Sequence, residues 1–389
     1  PVIMKKPLLI TLSVLAVLLI IPAVSFIRWA FQEKKPVDVV ILDKTVPTLD
    51  RLNHRSFVYI LTNARYVRGD KGGSYSARKD YYGFEPLRPV REKQFRKKDF
   101  RLTELIELAE NNDAMYFTDT YGVFFNDWYQ GIKKTRRSRK LYGGLNNNDY
   151  LLMVEMKKRD KLVLVEYNTF DYPTAGLERF KTEELLGIAS KGWMGQYYKS
   201  LDTVSQQGVP AWMPALYRKQ YREPWSFTKP GVVLLKENGI IVLEEGKHLA
   251  SALPVIRTSS ESAGRFGLPE SVTFTNSFDI IDPGRNNVVS EFVLNTTPAG
   301  DTLLAVNDLQ AVFPAVTQEP LAQKTYYFSG DFANNDIPFW TARIKNIQKG
   351  AKTLLYSDKP EDPRRFFWLY YKPLITSIFA EYQAEPAGK

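Results

Sequence analysis

Three short apolar runs constrain this chain more than any other feature. Val37-Asp38-Val39-Val40-Ile41-Leu42, Ala114-Met115-Tyr116-Phe117-Thr118-Asp119 and Lys161-Leu162-Val163-Leu164-Val165-Glu166-Tyr167 are nearly unbroken stretches of aliphatic, β-branched and aromatic residues. Strands that read this way are buried on both faces, which points to a parallel sheet with helices over each side. Helical patterns run from Thr48 to Thr62, Leu102 to Glu110, Asn148 to Lys158 and Pro173 to Leu186, the last with Thr174 placed to cap it. The alternation predicts an α/β layer over residues 36–225.

Beyond Trp225 the pattern becomes β-rich. Gly231-Val232-Val233-Leu234-Leu235 and Ile240-Ile241-Val242-Leu243 flank Lys236-Glu237-Asn238-Gly239, where Asn-Gly suits the positive φ angles of a tight hairpin turn. Further strands are expected near Val272–Ile281, Val288–Leu294, Thr302–Val306 and Thr325–Phe332. Two helices close the chain, Phe339–Ile347 and Arg364–Tyr382. The second carries more apolar surface than one amphipathic stripe needs, and Pro373 interrupts it. We expect it to dock against another subunit or a bilayer surface, with burial inside the chain's own core as the competing arrangement.

At the other end, Leu8 to Ile27 is a run of twenty residues without a charge. As a helix it would span about 30 Å, the thickness of a bilayer core. Lys5 and Lys6 before it and Arg28, Trp29, Lys34 and Lys35 after it supply interfacial anchors, but their balance does not fix the orientation. Ala23-Val24-Ser25 also suits signal peptidase, so a cleaved leader competes; the length of the apolar run favours a retained anchor. The expected organisation is an anchor over 1–35, the α/β domain over 36–225 and a β-rich portion over 226–389. A chain of 389 residues has room for all three.

Composition excludes more chemistry than it suggests. There is no cysteine, hence no disulfide, thiol nucleophile or thiolate metal site. His54 and His248 are the only imidazoles, so a multi-histidine metal centre is impossible. Gly69-Asp70-Lys71-Gly72-Gly73 lacks phosphate-loop spacing, and no GxSxG elbow occurs.

The order strand, Asp-containing turn, helix, followed by Asp119-Thr120-Tyr121-Gly122 and Glu166-Tyr167-Asn168-Thr169 at successive strand ends, resembles the class I glutamine-amidotransferase-like, or flavodoxin-like, fold. It is most similar to the bacterial membrane-anchored members of unassigned function that have lost the catalytic triad. The likeness covers residues 37–225, with Tyr326-Tyr327-Phe328-Ser329-Gly330-Asp331 returning to the same sheet. It implies a flavodoxin-like, mostly parallel sheet with a β-rich C-terminal portion, preceded by one transmembrane helix. The active family needs a cysteine at a sharp strand-to-helix turn, and this chain has none, so amidotransfer by that route is absent.

Ligands in open α/β sheets bind outside the carboxyl ends of the strands. Asp43, Asp119 and Glu166 stand at such ends with Tyr121 and Asn168 beside them, and they form the candidate ligand pocket. Acids with aromatic neighbours suit a sugar or another polyol better than a phosphate. The alternative is that Asp43 and Asp119 cap local turns and Glu166 pairs with an arginine. No catalytic residue, metal ligand or cofactor is assigned.

Positive charge concentrates in two segments. Arg88–Arg101 holds seven basic residues and two acids, and Lys133–Lys140 holds six basic residues and no acid. Lys133, Lys134, Arg136, Arg137, Arg139 and Lys140 are the candidate anion-binding residues, for lipid headgroups, acidic glycans or an acidic partner rather than nucleic acid. The expected function is that of a non-enzymatic subunit of a bacterial envelope complex. In that reading the chain is anchored in the inner membrane with its bulk extracytoplasmic, among other membrane-protein subunits. The second reading is a glycan-binding or glycan-processing envelope protein, with Tyr121, Trp128 and Trp193 as stacking surfaces over the carboxylates.

Overall fold

The computed structural model describes residue 20 and residues 22–69, 72–131, 138–204, 208–322, 324–350 and 352–384. Strand β1 (Val39–Asp43) leads into helix α1 (Leu52–Asn63), and β2 (Tyr82–Pro86) and β3 (Phe95–Lys98) pair antiparallel. Helix α2 (Leu105–Asn111) precedes β4 (Ala114–Asp119); α3 (Asn147–Lys158) precedes β5 (Leu162–Glu166); α4 (Gly176–Leu186) precedes the long β6 (Ala189–Tyr198). Side chains along β1, β4 and β5 alternate between two buried layers. Ile41, Tyr116 and Leu164 share one with Phe57 and Ile60 of α1. Leu42, Phe117 and Val165 share the other with Leu105 of α2 and Met153 of α3. Double burial is what the uninterrupted apolar runs require.

The remainder contributes α5 (Trp212–Tyr221), β7 (Gly231–Lys236), β8 (Gly239–Glu244), β9 (Leu249–Thr258), β10 (Ser271–Thr273), β11 (Phe278–Asp282), β12 (Asn287–Thr296), α6 (Pro298–Ala305), β13 (Val312–Gln318) and β14 (Thr325–Phe328). A ten-stranded sheet runs β10-β9-β12-β13-β14-β5-β4-β1-β2-β3, and a four-stranded sheet runs β8-β7-β6-β11. Both sheets join strands from either side of residue 225.

The large sheet is mixed rather than mostly parallel. Its centre, β14-β5-β4-β1-β2, is parallel, while β3 on one side and β13 to β10 on the other are antiparallel. Numbered by appearance in the chain, the parallel strands lie in the order 2-1-3-4-5, and the direction of winding reverses between β1 and β4.

Several local expectations need correction. Thr302–Val306, read as a strand, lies mostly within α6: the Thr297 hydroxyl accepts from Gly300 N–H and Pro298 opens the first turn, a helix-start signal that outweighs the β-branched residues after it. Helix α4 starts at Gly176, and Thr174 does not cap it, because its hydroxyl donates to Thr169 O and accepts from Leu145 N. The β7–β8 hairpin forms, but through Glu237-Asn238, with Gly239 paired to Lys236 and no positive φ at any of these three turn residues.

The C-terminal segment is interior. A short helical turn (Pro363–Phe366), a π-helical turn (Phe367–Tyr371) and helix α7 (Lys372–Ala384) run without a break. The wide turn falls just before Pro373, where the missing N–H would disrupt an α ladder. Phe366, Phe367, Trp368, Tyr370, Tyr371, Leu374, Ile375, Ile378 and Phe379 are all buried, with Phe367 and Trp368 edge-on to Tyr59 of α1 at 5.4 and 5.7 Å. The chain's own core covers the surface expected to dock elsewhere.

Most of the expected membrane segment, residues 8–19 and 21, lies outside the described residues. Residues 22–30 are helical, and Trp29 donates its indole N–H to Thr62 O. Among the described residues no helix is long and apolar enough to cross a membrane.

Candidate functional site at the carboxyl edge of the parallel strands

Where the winding of an open α/β sheet reverses, the loops leaving the two flanking strands diverge and open a crevice at their carboxyl ends. Here those strands are β1 and β4, and their last residues, Asp43 and Asp119, are paired across the ladder. On its other side β1 meets Gly83, near the start of β2, whose φ of +127° brings its backbone against Asp43. A Cβ at residue 83 would lie 1.7 Å from the Asp43 carbonyl oxygen.

Asp43 is sealed. One carboxylate oxygen accepts from Thr45 N at 2.9 Å; the other lies 2.5 Å from His54 Nδ1, while His54 Nε2 donates to Ala77 O at 2.7 Å. Burial raises the Asp43 pKa, outweighing the opposing effect of His54.

Asp119 is buried, 6% exposed. Its Oδ1 accepts from Tyr121 N at 2.7 Å and Asn168 Nδ2 at 3.3 Å, and its Oδ2 from Asn53 Nδ2 at 3.3 Å. Burial raises its pKa well above the ordinary value, and the charges of Asp331 and Asp43 add to this. Asn168, 8% exposed, takes a left-handed φ of +65° and donates its backbone N–H to Asp279 at 2.8 Å. Tyr121 is half-buried against Phe124, ring centroids 4.8 Å apart, and Phe124 stacks in turn on the exposed Tyr172 at 6.0 Å. A ridge of rings therefore borders the Asp119–Asn168 pair.

Glu166 parts company with this group. It points into the layer beneath the C-terminal helix, accepting from Tyr116 OH at 2.5 Å and Ala333 N at 3.2 Å, and Tyr116 bonds Tyr371 OH at 2.8 Å. Its partners are tyrosines rather than the arginine considered above. Burial pushes its pKa well above the carboxylate range. The predicted site thus divides: Asp119, Asn168 and Tyr121 meet at the strand ends, Asp43 is paired to His54, and Glu166 belongs to the interior. The two expected turn caps at Asp43 and Asp119 are present as well.

Two acids at this edge were missed. Asp331 lies three residues beyond the end of β14, in the loop at the same edge, so a strand-end rule extended into the following loop would have found it. It is half-buried, accepts from Asn334 Nδ2 at 2.9 Å, and burial raises its pKa to about 6. Asp279, on β11, reaches Asn168 and Tyr327 from the other sheet, and nothing local in the sequence announces it. Below the crevice, Lys44 Nζ bonds Asp149 at 2.5 Å and Gly144 O at 2.9 Å.

Trp128 and Trp193 are buried and cannot be stacking surfaces. Of the candidate anion-binding residues, Lys133, Lys134, Arg136 and Arg137 lie outside the described residues; Arg139 and Lys140 are exposed. Among the described residues no group of three or more His, Asp or Glu side chains is placed to hold a metal ion. A groove of about 580 Å³ opens elsewhere, beside β9, β10 and β12, but its Arg257 and Glu291 pair with each other at 3.1 Å.

The chain is similar to a ThuA-like protein from Bacteroides uniformis, known from a crystal structure, with 9% identity and a TM-score of 0.34 over 85% of this chain and 97% of that one. No family model and no curated protein matches the sequence.

Proposed function

We propose that the protein has a flavodoxin-like domain of the class I amidotransferase type, without that family's chemistry, and that it binds a glycan or another polyol at the β1/β4 crevice. The observation that carries this reading is the Asp119–Asn168 pair at the reversal point of a 2-1-3-4-5 sheet, bordered by the Tyr121–Phe124–Tyr172 ridge. Carboxylate and amide groups accept and donate to hydroxyls, and tyrosine faces cover the apolar C–H surface of a sugar ring. Hydrolysis has less support: of the acids here, Asp43 and Glu166 have no exposed surface from which to act. The apolar segment 8–27 supports an extracytoplasmic domain anchored at a bacterial inner membrane. A subunit role, motivated by the absent triad chemistry and by the aromatic C-terminal helix, loses its second motive because that helix is interior.

Saturation-transfer NMR of the full chain against neutral and acidic oligosaccharides tests the reading. We expect saturable binding to at least one glycan, lost in Tyr172→Ala, which removes an exposed ring. Binding to none of them, or binding indifferent to Tyr172→Ala, overturns it.

A further inference from the structure

The first basic segment meets residues that flank the second. Strand β2 begins where β1 ends, Leu42 pairing with Tyr82 and Asp43 with Gly83, so the β2–β3 pair projects past the carboxyl edge of the sheet. The excursion containing residues 123–131 and 138–142 lies against it. Trp128 Nε1 donates to Lys93 O at 2.8 Å and Lys93 Nζ donates to Trp128 O at 2.6 Å. Tyr142 OH donates to Asp99 at 2.6 Å. Arg91, Arg96, Lys97, Arg139 and Lys140 are exposed along this joint, with Lys98 half-buried beside them.

Three of these cations are held by rings or a carbonyl. Lys97 lies over Tyr142 at 5.9 Å, Lys98 over Tyr81 at 5.2 Å, and Lys140 donates to Gly143 O at 3.1 Å. Among the described residues only Arg96 of the six has an acidic partner, Glu85 at 2.6 Å. Burial lowers the Lys98 pKa, with Glu85 opposing. Positive charge fixed in place and left without counter-charge attracts a polyanion.

Position decides which polyanion. The helical residues 22–30 reach the opposite, amino edge of the sheet: Trp29 bonds Thr62 near the end of α1, and Lys35 pairs with Tyr66. The described end of the apolar run, residues 22–27, therefore lies across the sheet from the basic face, which instead overhangs the carboxyl ends of the strands. We infer that this face binds the acidic groups of a glycan seated in the crevice, so that the preferred ligand is a uronate- or sulfate-bearing polysaccharide. The inference rests on the polyol reading and adds the charge class of its ligand.

The test compares polygalacturonate oligomers, neutral oligosaccharides, phosphatidylglycerol vesicles and single-stranded DNA as ligands of the full chain. The variants are the triple Arg91→Gln/Lys97→Gln/Arg139→Gln and, separately, Tyr172→Ala. The triple variant should bind polygalacturonate about tenfold or more weakly at low salt, with the difference shrinking as salt rises, and neutral oligosaccharides as wild type does. Unchanged neutral binding also shows that it folds. Polygalacturonate binding that is absent, unaffected by the triple variant, or weaker than binding to vesicles or DNA overturns the inference. If neutral glycans still bind in that case, the crevice reading stands alone. If polygalacturonate responds to the triple variant but not to Tyr172→Ala, the cationic face stands and the crevice reading falls.

Discussion

His54 Nδ1 lies 2.5 Å from Asp43 Oδ2 with neither side chain exposed to solvent, and the Ala77 carbonyl fixes one proton of the ring. Nε2 faces the Ala77 carbonyl, which can only accept, so Nε2 carries hydrogen. In a neutral ring Nδ1 is then an acceptor, and a carboxyl whose pKa is raised by burial can supply the donor.

Asparagine reproduces that pattern, its carbonyl accepting from Thr45 N and its amide donating to Nδ1. Asp43→Asn should therefore cost no more than about 1 kcal/mol in urea unfolding, whereas Asp43→Ala, which strands a buried imidazole nitrogen, should cost about 2–4 kcal/mol. Equal losses in the two variants would mean that the pair is ionic instead.

The acids near the crevice should make the protein less stable as pH rises. Burial raises Asp119, Glu166, Asp279 and Asp331 above their ordinary values, Asp331 to about 6. Between 3.8 and about 6 the folded protein holds a proton at Asp331 that the unfolded chain has released. That contribution is complete below 3.8 and is lost as pH climbs through 6. The urea midpoint should be higher at pH 5 than at pH 7.5, and Asp331→Asn should reduce the difference. A midpoint that increases with pH over this interval contradicts the assignment.

Lys44 and Asp149 form a buried ion pair, each about 1% exposed. Lys44→Met leaves a carboxylate in the interior and should cost about 3–5 kcal/mol. Adding Asp149→Leu removes the stranded charge and should restore most of the loss. About 1 kcal/mol should remain, because Asp149 also accepts from Asn146 N in the α3 capping box. A double-mutant cycle in urea measures the coupling, and additive losses would show that the pair contributes nothing as a pair.

The first, third and fourth parallel strands are legible because Val39 to Leu42, Ala114 to Phe117 and Leu162 to Val165 are apolar on both alternating faces, a pattern few other structures permit. Asp43, Asp119 and Glu166 follow from the same reasoning, since each ends such a strand. What sequence does not reveal is which layer covers each face. Leu162, Leu164 and Glu166 share one side of β5, and that side meets Tyr371, far along the chain. The turn of Glu166 away from the rim is thus set by a distant contact. The reach of β14 back to β5 is likewise non-local, although Tyr326–Asp331 carries its apolar signature. By contrast, α6 was misread despite a local signal, the Thr297-Pro298 start, because strands surround it.

The C-terminal segment gives the most direct test of the fold. Nine of its apolar and aromatic side chains, from Phe366 to Phe379, are buried in the core layer that they share with α1. At roughly 1.5–3 kcal/mol for each fully buried side chain, their loss matches or exceeds the roughly 5–15 kcal/mol by which a typical domain is stable. Truncation after Asp362 should therefore yield an unfolded or aggregated chain. A milder change reports the same packing without destroying it: Tyr371→Phe keeps the ring but removes the hydroxyl that meets Tyr116 at 2.8 Å, and should cost about 1 kcal/mol in urea unfolding. A truncated chain that stays soluble, with a cooperative unfolding transition, would place the segment outside the core and return it to the role of a docking surface.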